Sequence, residues 1–202
     1  MLKSIFMTVK RIVSLVMIVV ALTTTHSCSK LASIIDKFLN FSTPAQNFDI
    51  PPISNTVVSL NSGIVPSLQG SVSYNLDSFA KANTGGSLGV NNVSSLKIDS
   101  CVFTISNPTT NSNFSAFDSI AISITTNVNS TPYVLNATVP AVFTSRLTLL
   151  PADTTNNLVN YISMTAGTKT ILNYQIAGKM RNGTTDTMHC SGVLSFSTRV
   201  KG

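Results

Sequence analysis

The chain has 202 residues, 43% of them apolar and only 10% charged, enough for one domain with a single core plus a targeting segment. Every acid is aspartate, and Ser, Thr and Asn fill most of the polar remainder. That composition favours strands, turns and caps over exposed helix. The formal charge of +6 overstates the basicity of the domain, because Lys3, Lys10 and Arg11 lie in the N-terminal segment and leave ten basic residues against seven acids. No run of Lys or Arg remains to follow a phosphate backbone, so nucleic acid is not an expected partner.

After those three cations, residues 12–22 are an almost unbroken apolar run of eleven. Spanning the hydrocarbon core takes ~20 residues, so the run fits the h-region of a signal peptide rather than a transmembrane helix. It ends in Thr23-Thr24-Thr25-His26-Ser27-Cys28, with small residues at the third and first positions before the cysteine. This junction resembles the lipobox of bacterial lipoproteins, in which a small residue precedes a cysteine that receives diacylglycerol. Ser27 fits. Thr25 stands where Leu, Val or Ile is usual, and this looser form, followed by Ser29, is similar to the boxes of Bacteroidota lipoproteins. The resemblance implies a signal peptide over residues 1–27, acylation of Cys28 and a place in the cell envelope, anchored to the membrane by lipid such as palmitate. Each buried methylene contributes ~0.8 kcal/mol, so several acyl chains on one cysteine hold a protein stably. The alternative is cleavage after Ser27 by the general signal peptidase, which leaves Cys28 an ordinary thiol.

Next along the chain, Leu31, Ile34, Ile35, Phe38 and Leu39 fall on one helical face, with Ser33, Asp36, Lys37 and Asn40 opposite. That spacing predicts a short amphipathic helix, capped by Ser29 and stopped before Pro44. Residues 42–55, with Pro44, Pro51 and Pro52, read as an extended linker or an entry strand. Residues 28–55 are thus expected to be a tether and residues 56–202 the domain.

Within the domain, strands are predicted over 57–60, 71–74, 96–106, 119–127, 133–139 and 146–150. A helical stretch over 75–83, capped by Asn75, ends at Thr84-Gly85-Gly86, and a second short helix is expected over 153–163, capped by Asp153 or Thr154. Leu172, Tyr174, Ile176, Gly178 and Met180 alternate on one strand; Met188, Cys190, Gly192, Leu194 and Phe196 alternate on another. Asn182-Gly183 between them suggests a hairpin. A two-residue turn would put the two apolar sets on opposite faces, so a three-residue loop, Arg181-Asn182-Gly183, with a bulge is predicted. About seven mostly antiparallel strands point to an all-β, two-sheet sandwich of immunoglobulin-like type with one or two short helices. The Cys-Trp-Cys core of antibody domains is excluded, because the chain has no Trp.

If Cys28 carries lipid, Cys101 and Cys190 are left as a pair. Each sits on an apolar strand face, and the pattern is equally that of a disulfide or of two buried thiols.

The search for chemistry returns little. Beyond the signal segment His189 is the only histidine, alternating onto the face opposite Cys190, and the Asp residues are scattered without calcium-loop spacing. No metal or cofactor is expected. Ser78-Phe79-Ala80-Lys81 matches a Ser-x-x-Lys nucleophile motif, but the Lys-Thr-Gly element that should follow is missing, and Ser73-Tyr74-Asn75 precedes the serine instead of following it. Residues 85–89, Gly-Gly-Ser-Leu-Gly, lack the lysine of a phosphate-binding loop. Sugar stacking could come only from Tyr74, Tyr133, Tyr161 or Tyr174. Asp118-Ser119-Ile120, Asp153-Thr154-Thr155 and Asp186-Thr187-Met188 resemble the Asp-Ser/Thr-apolar O-glycosylation signal of Bacteroidota envelope proteins; ordinary turns and strand starts explain them as well. The expected function is a non-enzymatic binding or assembly module of the envelope, with other envelope proteins or glycans as partners. A glycan-active hydrolase and a structural spacer are the alternatives.

Overall fold

The alternation noted at Met188 continues to Val200, and it builds the longest strand of the protein, β9 (Met188–Lys201), with seven consecutive inward positions buried. The computed structural model describes residues 36–60 and 68–202. Before β9 come β1 (Asp36–Ser42), β2 (Gln46–Ile50), β3 (Leu68–Tyr74), β4 (Val93–Ile105), β5 (Phe117–Thr126), β6 (Tyr133–Thr138), β7 (Arg146–Pro151) and β8 (Thr170–Met180). Two short helices, α1 (Asn55–Leu60) and α2 (Leu76–Asn83), flank β3. The strands form one antiparallel curled sheet in the order β1-β9-β4-β7-β6-β5-β8-β3, with β2 also on β9. The curl brings its first and last strands together: the rings of Phe41 on β1 and Tyr74 on β3 stack at 4.6 Å, and Phe41 stacks again on Phe196 at 4.8 Å.

Bulges keep the apolar residues inside. On β4 the buried positions Val93, Leu96, Ile98, Cys101, Phe103 and Ile105 twice skip three residues instead of two. The register with β9 shifts at both places, between Val93 and Ser95 and between Ile98 and Ser100. The same device sits on β5, where the step from Phe117 to Ile120 spans a shift against β8. One extra residue on one strand restores the period-two pattern that burial demands.

Several expectations need correction. Asp36–Ser42 is a strand paired with Ser195–Lys201, not the second half of an amphipathic helix; the rest of that helix lies outside the described residues. Its Phe38 is 72% exposed, beneath the guanidinium of Arg199 at 5.0 Å, so the strand buries only Leu39 and Phe41 in part. Of the two readings of residues 42–55, the entry strand holds over 46–50, which are β2, and it is the boundary at 55 that moves, because the fold reaches back into the expected tether. Residues 57–60 end a helix rather than forming a strand: Ser54 accepts from the Val57 N–H at 3.3 Å, and the cap outweighs the β-branched pair Val57-Val58. Of the helix expected over 153–163 only a 3₁₀ turn, Leu158–Tyr161, forms, capped by Asn157, while Asp153 closes its own turn on the Thr155 N–H at 2.8 Å.

The last correction is the hairpin. β8 and β9 do not pair; β8 lies between β3 and β5, β9 between β4 and the β1/β2 edge. Residues 181–187 cross from one arm of the sheet to the other, with the Arg181 and Asn182 N–H groups both on the Ala116 carbonyl at 2.7 and 3.1 Å. The parity conflict at Asn182-Gly183 has its reason here. The two apolar sets face each other across the core instead of lying side by side.

The helix α2 formed where expected. Asn75 caps it through the Ser78 N–H at 3.0 Å. Next to that cap, the buried Asp77 carboxylate accepts from the Val90 N–H at 3.0 Å, the Gly167 N–H at 3.2 Å and Lys81 Nζ at 2.8 Å. The Lys81 bond, then the Val90 N–H, lowers its pKa from the ordinary 3.8. A depressed folded-state pKa stabilises the fold above 3.8, and that stabilisation disappears as pH falls through the lower folded value. Asp77→Asn is therefore expected to lower Tm by several degrees at neutral pH. Melting curves taken at falling pH should converge with wild type below 3.8; a gap that stays constant would mean the charge is not what matters.

Candidate ligand pocket

Glycines inside strands leave room that a side chain would fill, and two of them shape the interior at one end of the sheet. A Cβ at Gly178 on β8 would lie 2.9 Å from the Phe117 ring, and one at Gly192 on β9 would lie 2.9 Å from the Phe103 ring. Each ring thus takes space beside bare backbone that a side chain would otherwise occupy. Above them the two arms of the sheet enclose a pocket of about 390 Å³. Phe48 and Ile50 of β2, Phe103 of β4, and Phe114, Phe117, Ile120 and Ile176 line it. Phe48 meets Phe103 edge-on at 5.2 Å and 69°, which fixes β2 against β4. A further cavity of about 20 Å³ continues along the same interior, sharing Phe48, Phe103 and Ile176.

The mouth is the segment from β2 into α1. Pro51, Pro52 and Ser54 are exposed there, and Val57 is 40% exposed. The segment is bolted to the β8–β9 crossing. Ile53 and Thr184 exchange two hydrogen bonds at 2.8 and 3.2 Å, and the Gly183 N–H donates to Asn55 Oδ1 at 2.6 Å. A Cβ at Gly183 would collide with the Ile53 carbonyl and the backbone that follows it. The crossing thus needs glycine for close approach.

No ionisable side chain lines the pocket among the described residues, and Ser54 brings the only side-chain hydroxyl. The aspartates are engaged elsewhere: Asp49 with His189 Nδ1 at 2.8 Å, Asp118 with Arg181 Nε at 2.9 Å, Asp99 with Ser197 Oγ at 2.8 Å. Asp186 holds the hydroxyls of Thr109, Ser112 and Thr185, closing the loops before β5 and β9. His189 is exposed, opposite Cys190. Ser78 is exposed on α2 while Lys81 is turned to Asp77, so the Ser-x-x-Lys pair lies apart from the pocket. Tyr133 and Tyr161 are buried against each other, and Tyr74 and Tyr174 pack on the core, so none forms an open stacking platform. Cys28 lies outside the described residues.

The disulfide alternative at Cys101 and Cys190 is corrected. Both thiols are free and buried on neighbouring strands, but Cys101 pairs with Leu194 and Cys190 with Ile105. Four register steps put their Cα atoms ~13 Å apart, against the ~6 Å that a disulfide spans. Burial pushes each thiol up to about 12, so the reactive thiolate is scarce at neutral pH.

Sequence reasoning located strands β2, β8 and β9 only in part and missed the pocket. Its signal was the pair Gly178 and Gly192, interior glycines in otherwise well-alternating strands. Pro51-Pro52 read as linker because a mouth and a linker share the same composition.

No family model matches the chain, and no curated protein matches it. Among solved structures, the BFDV capsid protein in its decameric form aligns at 10% identity over 83% of this chain and 100% of that one, with a TM-score of 0.38. The Desmodium yellow mottle tymovirus structure aligns at 9% identity over 83% and 90%, TM-score 0.27. Infectious bursal disease virus, Gt strain, aligns at 13% identity over 84% of this chain and 33% of that one, TM-score 0.37. Likeness at this level carries no argument about what the chain does.

With Cys28→Ser removing the third cysteine, a thiol reagent is expected to label no site in the native protein and both Cys101 and Cys190 after denaturation. Rapid labelling of either in the native state would contradict their burial.

Proposed function

We propose that this chain is an exported envelope lipoprotein, held by acyl chains on Cys28, whose β domain is a non-enzymatic module that binds an apolar ligand. One observation carries the binding half: a pocket within the size range of small-molecule sites, walled by aliphatic and aromatic side chains and open at residues 51–57. The charge-then-apolar pattern of residues 1–27 and Ser27-Cys28 support the anchored half. The reading includes the immunoglobulin-like two-sheet sandwich as the form of the curl, supported by β7, which pairs with β4 and β6 and so lies between the arms.

The hydrolase alternative calls for two converging carboxylates or a nucleophile with its base in a cleft. Neither lines the pocket among the described residues. A pure spacer has no use for an open apolar pocket, which costs packing contacts that a closed core would keep.

Two measurements test the halves separately. In cells fed an alkyne fatty acid, the wild-type chain should take up label and Cys28→Ser should not; an unlabelled wild type refutes the anchor. For the pocket, the fluorescent apolar probe N-phenylnaphthylamine should bind with enhanced emission. Val57→Trp, at the half-exposed mouth, should weaken it by about tenfold, equivalent to ~1.4 kcal/mol, with Tm unchanged. Equal binding by both proteins would place the probe elsewhere.

A further inference from the structure

Resting on the pocket reading, we infer that the ligand is an amphiphile whose single hydrocarbon chain fills the pocket while its polar head stays outside at residues 51–57. The walls decide between a hydrocarbon and a peptide. Among them, Phe103 of β4, Ile120 of β5 and Ile176 of β8 each have ladder partners on both sides, so their backbone groups are already spent. Among the described residues the one side-chain hydroxyl in the lining, that of Ser54, sits at the mouth and already receives the Val57 N–H. A peptide drawn into this space would bring an N–H and a C=O with every residue, each costing ~1–3 kcal/mol if left unpaired. A hydrocarbon chain brings none.

The shape also has two unlike ends. Phe103, Phe114, Phe117, Ile120 and Ile176 of the lining are buried, whereas Pro51, Pro52 and Ser54 are exposed. A molecule that is apolar at one end and hydrated at the other matches that gradient. The mouth also stands far from where the N-terminal segment joins. Ile50 is opposite Met188 and Asp36 opposite Lys201, thirteen positions apart on β9, or roughly 40 Å of strand. The amphiphile would therefore be taken up on the side of the domain remote from the Cys28 attachment.

The test uses the exported full chain carrying Cys28→Ser, so that no attached lipid competes, with N-phenylnaphthylamine displaced by saturated fatty acids from hexanoate to palmitate. Affinity is expected to rise about fourfold per added methylene, then level off once the chain fills the pocket, and the rise should vanish in Val57→Trp. In parallel, native mass spectrometry after incubation with phosphatidylethanolamine vesicles reads the source. A bound phospholipid supports a bilayer lipid as donor of the chain, and uptake of free fatty acid alone supports a soluble amphiphile. Constant affinity along the series while the probe still binds would overturn the amphiphile and leave the apolar pocket standing. Displacement by an uncharged apolar peptide but by no fatty acid would overturn it as well. Failure of the probe itself to bind would refute the pocket reading and this inference together.

Discussion

The inward alternation of β9 is the constraint on which the rest of the fold depends. Its seven buried positions run without interruption, so β9 has no freedom to slip: a shift of one residue would send Phe196, Leu194 and Met188 to solvent and their polar neighbours into the core. Every strand laid against it must therefore adapt. β4, on one side, does so with two bulges; on the other side the edge is built from two pieces, β1 and β2, with a break at Thr43-Pro44-Ala45. At that break Thr43 stands in for the missing ladder, its N–H on the Leu194 carbonyl at 2.9 Å and its Oγ1 accepting the Leu194 N–H at 3.1 Å. Proline there cannot donate, which limits that stretch of edge as a template for another chain.

The same constraint produces the pocket. Because β9 and β8 face each other and are joined by a crossing rather than a turn, their glycines, Gly192 and Gly178, both subtract volume from one end of the interior. Phe103 and Phe117 approach the bare backbone at the two glycines, and both line the space that stays open. At the other end Phe41, Tyr74, Phe79 and Phe196 pack ring on ring, and only about 30 Å³ stays open there. The sheet is thus aromatic and tight where the N-terminal segment joins, and open where the loops and α1 gather.

Local signals in the sequence were read well where a local cause was dominant. The Asn75 cap, the end of α2 at Thr84-Gly85-Gly86 and the central strands β4 to β7 follow from short-range chemistry that tertiary packing left intact. The failures share a different cause. Phe38 and Leu39 fit a helical face and a strand equally, and only the partner β9, some 160 residues away, decides between them. The hairpin failed because alternation states which face is buried and not which strand lies alongside. Its parity conflict was the correct warning, met with an extra loop residue when the answer was a change of partner. The pocket was hardest to see, since a cavity is the absence of side chains, and two glycines among ten point to it only after the arms are known to face.

The two-piece edge has a mechanical consequence. Chain tension applied at Asp36 and resisted at the far end of the domain acts along the β1 and β9 axes, while their ladder bonds run across them. All seven residue pairs of β1 then carry load together in shear, instead of parting one after another as they would if pulled open from the side. Under the proposed anchor at Cys28, an attachment at this corner would place the domain's strongest direction in line with the pull, and a tug on the domain would sooner stretch the leash than unravel the fold.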